Sequence, residues 1–151
     1  MLINHINRYI ILLAGISGIL FSNNIHNGAF TISRIHYGGG GDWYANPSSI
    51  SNLLEFINTN TSILIQTKEN QVKIGDDEFY KNNFFYITGH GNITLTTQEI
   101  VILREHLLRG SFLHVDDNYG LDKSFRKVVS KLFPDKDLVE LPINHGIFNC
   151  Y

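Results

Sequence analysis

The sequence predicts an α/β fold built on a mainly parallel sheet flanked by helices. Three observations predict it. Short apolar runs of strand length alternate with stretches whose apolar residues recur at i, i+3 and i+4. The run FFYIT at 84–88 is apolar throughout, as a strand covered on both faces of a parallel sheet must be. Polar and glycine-rich motifs fall where strands end, the edge at which open parallel sheets bind ligands. A chain of 151 residues suits one domain and would bury about 70% of its unfolded surface. With 43% hydrophobic residues and a formal charge of -2, the composition excludes a disordered chain and gives no electrostatic footprint for nucleic acid. Arg126, Lys127 and Lys131 form the main basic cluster, and their helical spacing reads as a solvated face.

Residues 1–27 differ from the rest. Arg8 supplies positive charge, 9–21 (YIILLAGISGILF) is almost wholly apolar, and 22–27 turns polar, the outline of a signal peptide. The run is shorter than the roughly 20 residues that span a bilayer, which favours a removable signal. Ser22 is an acceptable small residue before a cut, but Leu20 is a poor partner for it, so an amino-terminal membrane anchor is the alternative and a buried helix a third. The expectation is an exported protein, periplasmic or anchored, whose residues 28–151 form one domain.

The elements of that domain follow in order. Residues 29–36 (AFTISRIH) have strand character. Asn46 reads as an N-cap and Pro47 as the first helical residue, ahead of the stripe Ile50, Leu53, Leu54 and Ile57. Residues 62–66 (SILIQ) read as a short strand, with 72–74 an extra edge strand. After 84–88, Thr96 and Glu99 have capping-box spacing, Ile100, Leu103 and Leu107 share a stripe, and Gly110 sits at the C-cap. Glu105 and Arg109 can pair at i, i+4. Residues 111–115 are the next strand. A third helix carries Phe125, Val128, Val129 and Leu132 and stops before Pro134, and 138–141 form a last strand.

On this reading the polar motifs share one edge. His36 and the 38–43 loop follow the first strand, His90 follows FFYIT, His114, Asp116 and Asp117 close the next strand, and His145 follows the last. The run HYGGGGDWY is not the dinucleotide fingerprint, which would need glycine at Trp43 or Tyr44, and no lysine makes it a phosphate loop. It is either a turn that lets backbone approach backbone, or a seat in which amides of Gly39, Gly40, Gly41 and Asp42 bind an anion, with Trp43 and Tyr44 as a wall for a sugar. His90, between glycines, suits a base, a ligand or a turn residue, with Asn92 orienting it. Alternation puts His114 and Asp116 on one face and Asp117 on the other. Asp117, with Asn118 and the turn to Gly120, then suits the structural task of capping the next helix. Asp116 and His114 suit general acid or base work or a metal pair. A third ligand would have to come from His90, His145 or Asp42, and no metal or cofactor is assigned. Cys150 is the single cysteine, so no disulfide forms within the chain and no lipoprotein anchor is available near the amino end.

The ordered set YGGGGDWYANP, FYITGHGNI, LLRGSFLHVDDNYG with the SFR helix, and FPDKDLVELPINHGIF resembles a bacterial domain-of-unknown-function family, number 4159, over about residues 30–151. The resemblance implies a flavodoxin-like architecture of the class I glutamine amidotransferase-like group, in secreted or membrane-associated proteins. It also implies that the domain is incomplete at its carboxyl end. Where amidotransferases of this group place a nucleophilic cysteine on a sharp turn, this chain has Asp116 and Asp117, so glutaminase activity is not expected. The functional expectation is a cell-envelope module in which Gly39, Gly40, Gly41, Asp42, Trp43, Tyr44, Asn92, Asp117 and Asn118 bind a ligand, a carbohydrate being the candidate, or one that binds partners in a membrane complex. The alternative is a hydrolase of a carbohydrate or cell-wall substrate, with Asp116 or His114 as base and His90 or His145 assisting.

Overall fold

The computed structural model describes residues 29–149. The amino-terminal signal or anchor and Cys150 lie outside the described residues. Among the described residues no helix is long and apolar enough to cross a membrane.

Among the described residues four parallel strands form one sheet in the order β2-β1-β3-β4. They are β1 (Ser33–Ile35), β2 (Asn70–Val72), β3 (Phe84–His90) and β4 (Phe112–Tyr119). The α-helices described with them are α1 (Ser49–Asn60), α2 (Asp77–Tyr80), α3 (Thr97–Leu108) and α4 (Asp122–Leu132). This is an α/β sheet of flavodoxin-like order. Because side chains alternate along a strand, each strand feeds two layers. On one face Ile32 and Tyr86 pack with Ile50 and Leu54 of α1. On the other, Ile35, Val72, Phe85 and Ile87 pack with Leu103 of α3 and Val128 and Leu132 of α4.

Local chemistry explains the best-defined elements. Thr96 accepts from the Glu99 amide while Glu99 bonds back to the Thr96 amide, so two orphan donors of α3 are satisfied. Gly110 takes φ +103 just past that helix, a left-handed position that favours glycine. At α4, whose preceding residue Leu121 offers no side-chain cap, Asp117 accepts from the amides of Leu121 (2.8 Å) and Asp122 (3.0 Å).

Several boundaries differ from those read in the sequence. Residues 62–66 contribute only a bridge from Ile65 to Phe30, and the strand beside β1 is Asn70–Val72. The reason is electrostatic: Glu69, next to that strand, pairs with Arg34 of β1 at 3.0 Å. Helix α1 begins at Ser49 because Asn46 adopts φ 53, and its carbonyl accepts from the Ser49 amide without being helical itself. Strand β4 does not stop at Val115 but runs through both aspartates to Tyr119. Residues 138–141 are not a strand: Leu138 lines a groove with Val115 and Phe125, whereas Val139 is 76% exposed. His145 therefore follows no strand and instead caps a 3-10 turn, Gly146–Phe148, through Nδ1.

Candidate functional site

The chain leaves β1 for α1 on one face of the sheet and leaves its neighbour β3 for α3 on the other. Two adjacent strands whose connections part in this way define a switch point, and open parallel sheets bind ligands beyond the carboxyl ends of the strands there. The loops that follow β1 and β3 meet there and are zipped together. Thr94 N–H donates to Gly38 O (2.8 Å), Gly41 N–H to Asn92 O (2.9 Å) and Asp42 N–H to His90 O (3.4 Å). Glycine is required for this approach. A Cβ on Gly41 would stand 2.6 Å from Asn92 O, and one on Gly39, at φ +106, 2.6 Å from the Thr94 nitrogen. The glycine run thus brings backbone against backbone, and the amides of Gly41 and Asp42 are engaged and not open to an anion; Gly40 lies exposed at the tip.

The zipper delivers Asp42 to His90. One carboxylate oxygen, Oδ2, lies 2.9 Å from His90 Nδ1, and the other, Oδ1, accepts the His90 backbone N–H. The backbone N–H of His90 is the main reason that the Asp42 carboxyl is held below its ordinary 3.8; partial burial opposes the shift and the imidazole adds to it. Tyr37 lies beneath, its hydroxyl donating to Thr88 O at 3.0 Å, and burial followed by the Asp42 charge pushes it up to about 12. Glycine is required at position 89 beneath the pair, because a Cβ there would meet the Tyr37 hydroxyl at 2.2 Å. With Nδ1 facing a carboxylate, a neutral His90 carries its proton on Nδ1 and turns Nε2 outward as an acceptor. The ring is 55% exposed, so that nitrogen is within reach of a ligand.

Aromatic rings border the pair. His36 stacks on Trp43 with centroids 4.1 Å apart, Tyr44 meets Trp43 edge-on, and Tyr119 stands opposite His90 in the strand register. Tyr44 and Tyr119 are both largely exposed. The Asn92 backbone carbonyl accepts from Gly41, so this residue helps to close the zipper.

Arg34 was not among the residues singled out from the sequence, yet it holds the wall in place. It is 1% exposed, and its guanidinium bonds Glu69 and the carbonyls of Ala45 (2.7 Å), Asn46 (3.2 Å) and Trp43 (3.4 Å). An arginine in the centre of an apolar strand was the available signal, since a buried charge demands partners.

A second group lies alongside, on the α1 face of β4. His114 is the third residue of that strand and not at its end; it stacks on Tyr86, its register partner, at 5.4 Å. Asp116, opposite Thr88, accepts from the Tyr86 hydroxyl at 2.9 Å. Burial is the main cause of the raised Tyr86 pKa. Asn118 accepts from Asn46 at 2.8 Å, which ties this group to the loop after β1. Asp117 points to the opposite face and caps α4. The structure therefore brings Gly39, Gly40, Gly41, Asp42, Trp43, Tyr44, His90 and Asn92 to one place and sets Asp116, His114 and Asn118 beside it. Asp117 serves the helix and His145 its own turn. Among the described residues no three His, Cys, Asp or Glu side chains converge as a metal-binding set.

A parallel sheet of order 2-1-3-4 with its polar residues gathered at the switch point defines a flavodoxin-like α/β domain. Residues 31–151 match the family described as Domain of unknown function (DUF4159), and the chain belongs to that family. A comparison with curated proteins finds no match.

Proposed function

We propose that this domain is a ligand-binding module whose site is the surface formed by the joined loops after β1 and β3, around His90. The observation that carries the reading is the double contact of Asp42 with His90, which fixes an imidazole at the sheet's switch point with one nitrogen open. Fixed, half-exposed polar groups beside aromatic walls are what a small polar ligand requires. Export by residues 9–21 would make it a module of the cell envelope. The test is an amide NMR titration of the protein with methyl α-D-glucopyranoside, N-acetylglucosamine, acetate and phosphate, each separately. The expected result is a set of shifts confined to residues 38–46, 89–92 and 116–119 with at least one of these probes, abolished in His90→Ala. Shifts confined to other surfaces, or none with any probe, overturn the reading.

A second reading, hydrolysis, is favoured by the same dyad. A carboxylate-held imidazole can take a proton from water at Nε2 as the water attacks, and Asp42 stabilises the imidazolium that forms. His90 suits that task better than Asp116, which is engaged by Tyr86, or His114, which is stacked within the strand. Turnover of a p-nitrophenyl glycoside that is lost in both His90→Ala and Asp42→Asn supports hydrolysis; turnover unchanged in either variant refutes it.

A further inference from the structure

Strand β4 is built differently from the strand beside it. Five of the seven residues of β3 are buried, as a parallel sheet requires, whereas no residue of β4 is fully buried and Phe112 and Tyr119 are 40% and 81% exposed. Among the described residues the sheet has two edges, β2 and β4. β2 is three residues long, a common protection of an edge, but β4 is eight.

One bond gives the direction of the polar groups along that edge. The Phe112 amide donates to Asn83 O, so Phe112, His114 and Asp116 turn their backbone groups toward β3. Those of Leu113, Val115 and Asp117 point away from the sheet. An identical strand laid antiparallel along the edge bonds only by setting these residues opposite one another. With Asp116 opposite its own copy, like charges meet; with His114 opposite its own copy, Phe112 faces a carboxylate. With Val115 opposite its own copy, Leu113 bonds Asp117 and each His114 lies opposite an Asp116. These last positions are the closer, non-hydrogen-bonded pairs, with Cα atoms about 4.5 Å apart.

The side chains suit this register. His114 and Asp116 are both exposed on the α1 face. The stack of His114 on Tyr86 leaves its ring nitrogens to bond in the plane, and Tyr86 engages Oδ2 of Asp116, which leaves Oδ1 as an acceptor. Asp117 sets no free charge against Leu113, because its carboxylate already bonds the amides of Leu121 and Asp122. On that face Val115 stands beside its own copy at an apolar groove lined by Leu113, Phe125, Val129 and Leu138.

We propose that β4 is a docking edge for a second copy of this chain, the two strands pairing antiparallel about a two-fold axis at Val115 with reciprocal His114–Asp116 contacts. The two-fold axis makes each contact occur twice, and a copy of β4 supplies both an imidazole and a carboxylate at the spacing that the edge requires. The dimer is independent of ligand binding at His90.

Sedimentation equilibrium of the protein at neutral pH, from about 5 to about 500 µM, is expected to show monomer–dimer exchange. His114→Asp and Asp116→His, each alone, set like groups opposite one another and are expected to raise the dissociation constant at least about tenfold. Combined in one chain, the two substitutions exchange the partners and are expected to restore the parent value to within about threefold. Amide exchange needs no substitution: protection of the Leu113, Val115 and Asp117 amides is expected to rise with protein concentration, while that of Phe112 and His114, which face β3, stays constant. A monomer over the whole range means that another chain or segment is the partner of this edge, and overturns the proposal. So does a dimer whose dissociation constant is indifferent to either single substitution, or one that forms with no added protection of the edge amides.

Discussion

Replacing Arg34 with methionine removes the group that joins β1, the residue before β2 and the loop that carries the aromatic wall. The side chain is 1% exposed and Glu69, its partner, 14%. Loss of the guanidinium strands a mostly buried carboxylate and frees the carbonyls of Trp43, Ala45 and Asn46. Removing one member of a buried ion pair is worth about 3–5 kcal/mol. The carbonyl bonds are charge-assisted, at about 1.5–3 kcal/mol each in isolation. They do not add in full, because Asn46 is part of a partly exposed loop and water can replace the arginine there. The expected loss is therefore about 3–5 kcal/mol, or roughly 10–20 °C in melting temperature for a domain of this size. Arg34→Lys is expected to recover less than half, since an ammonium cannot reproduce the planar fork that reaches carboxylate and carbonyls together. Urea unfolding followed by the fluorescence of Trp43, the single tryptophan, measures both stability and the state of the wall. A loss below about 1 kcal/mol in Arg34→Met would refute the claim that this residue organises the loop.

Other expectations follow from the same geometry. Gly89→Ala places a Cβ 2.2 Å from the Tyr37 hydroxyl and 3.0 Å from Asp42 Oδ1. It is expected to destabilise by at least the roughly 1–3 kcal/mol of overpacking, and to disorder the His90 amide in NMR spectra. Asp117→Ala removes the acceptor for two amides of α4 and is expected to lose about 0.5–2 kcal/mol in chemical denaturation, leaving the Asp42–His90 contact intact. Because the Asp42 carboxyl is held below its ordinary 3.8, its stabilising contribution is complete above that value and is lost as pH falls through the lower, folded one. Stability measured between about pH 5 and pH 2 should thus fall less steeply in Asp42→Asn than in the parent protein, and an unchanged acid limb would contradict the shift.

How much of this was readable in the chain depended on the range of the interactions. The capping box of α3, the glycine that ends it and the capping task of Asp117 are satisfied within a few residues, and sequence reasoning located all three. The alternation that set His114 and Asp116 on one face and Asp117 on the other is equally local, and β4 keeps it. The start of α1 was misplaced because Asn46 owes its conformation to Arg34 and Asn118, distant partners that no local pattern reveals. The extra edge strand read at 72–74 lies two residues earlier, at Asn70–Val72, where Glu69 pairs with Arg34, and the more apolar 62–66 supplies only a bridge. Residues 138–141 have the composition of a strand and lack its ladder partner. At the site, Asp42 and His90 were each candidates, but their pairing spans 48 positions and comes from the backbone zipper that the glycines permit.

The tautomer of His90 tests the central claim most directly. Long-range proton–nitrogen correlation of the imidazole at neutral pH is expected to show the ring proton on Nδ1, with a shift of the tautomer balance toward Nε2 in Asp42→Asn. A ring protonated on Nε2, or one whose spectrum is indifferent to Asp42, would contradict a carboxylate-held imidazole at the switch point.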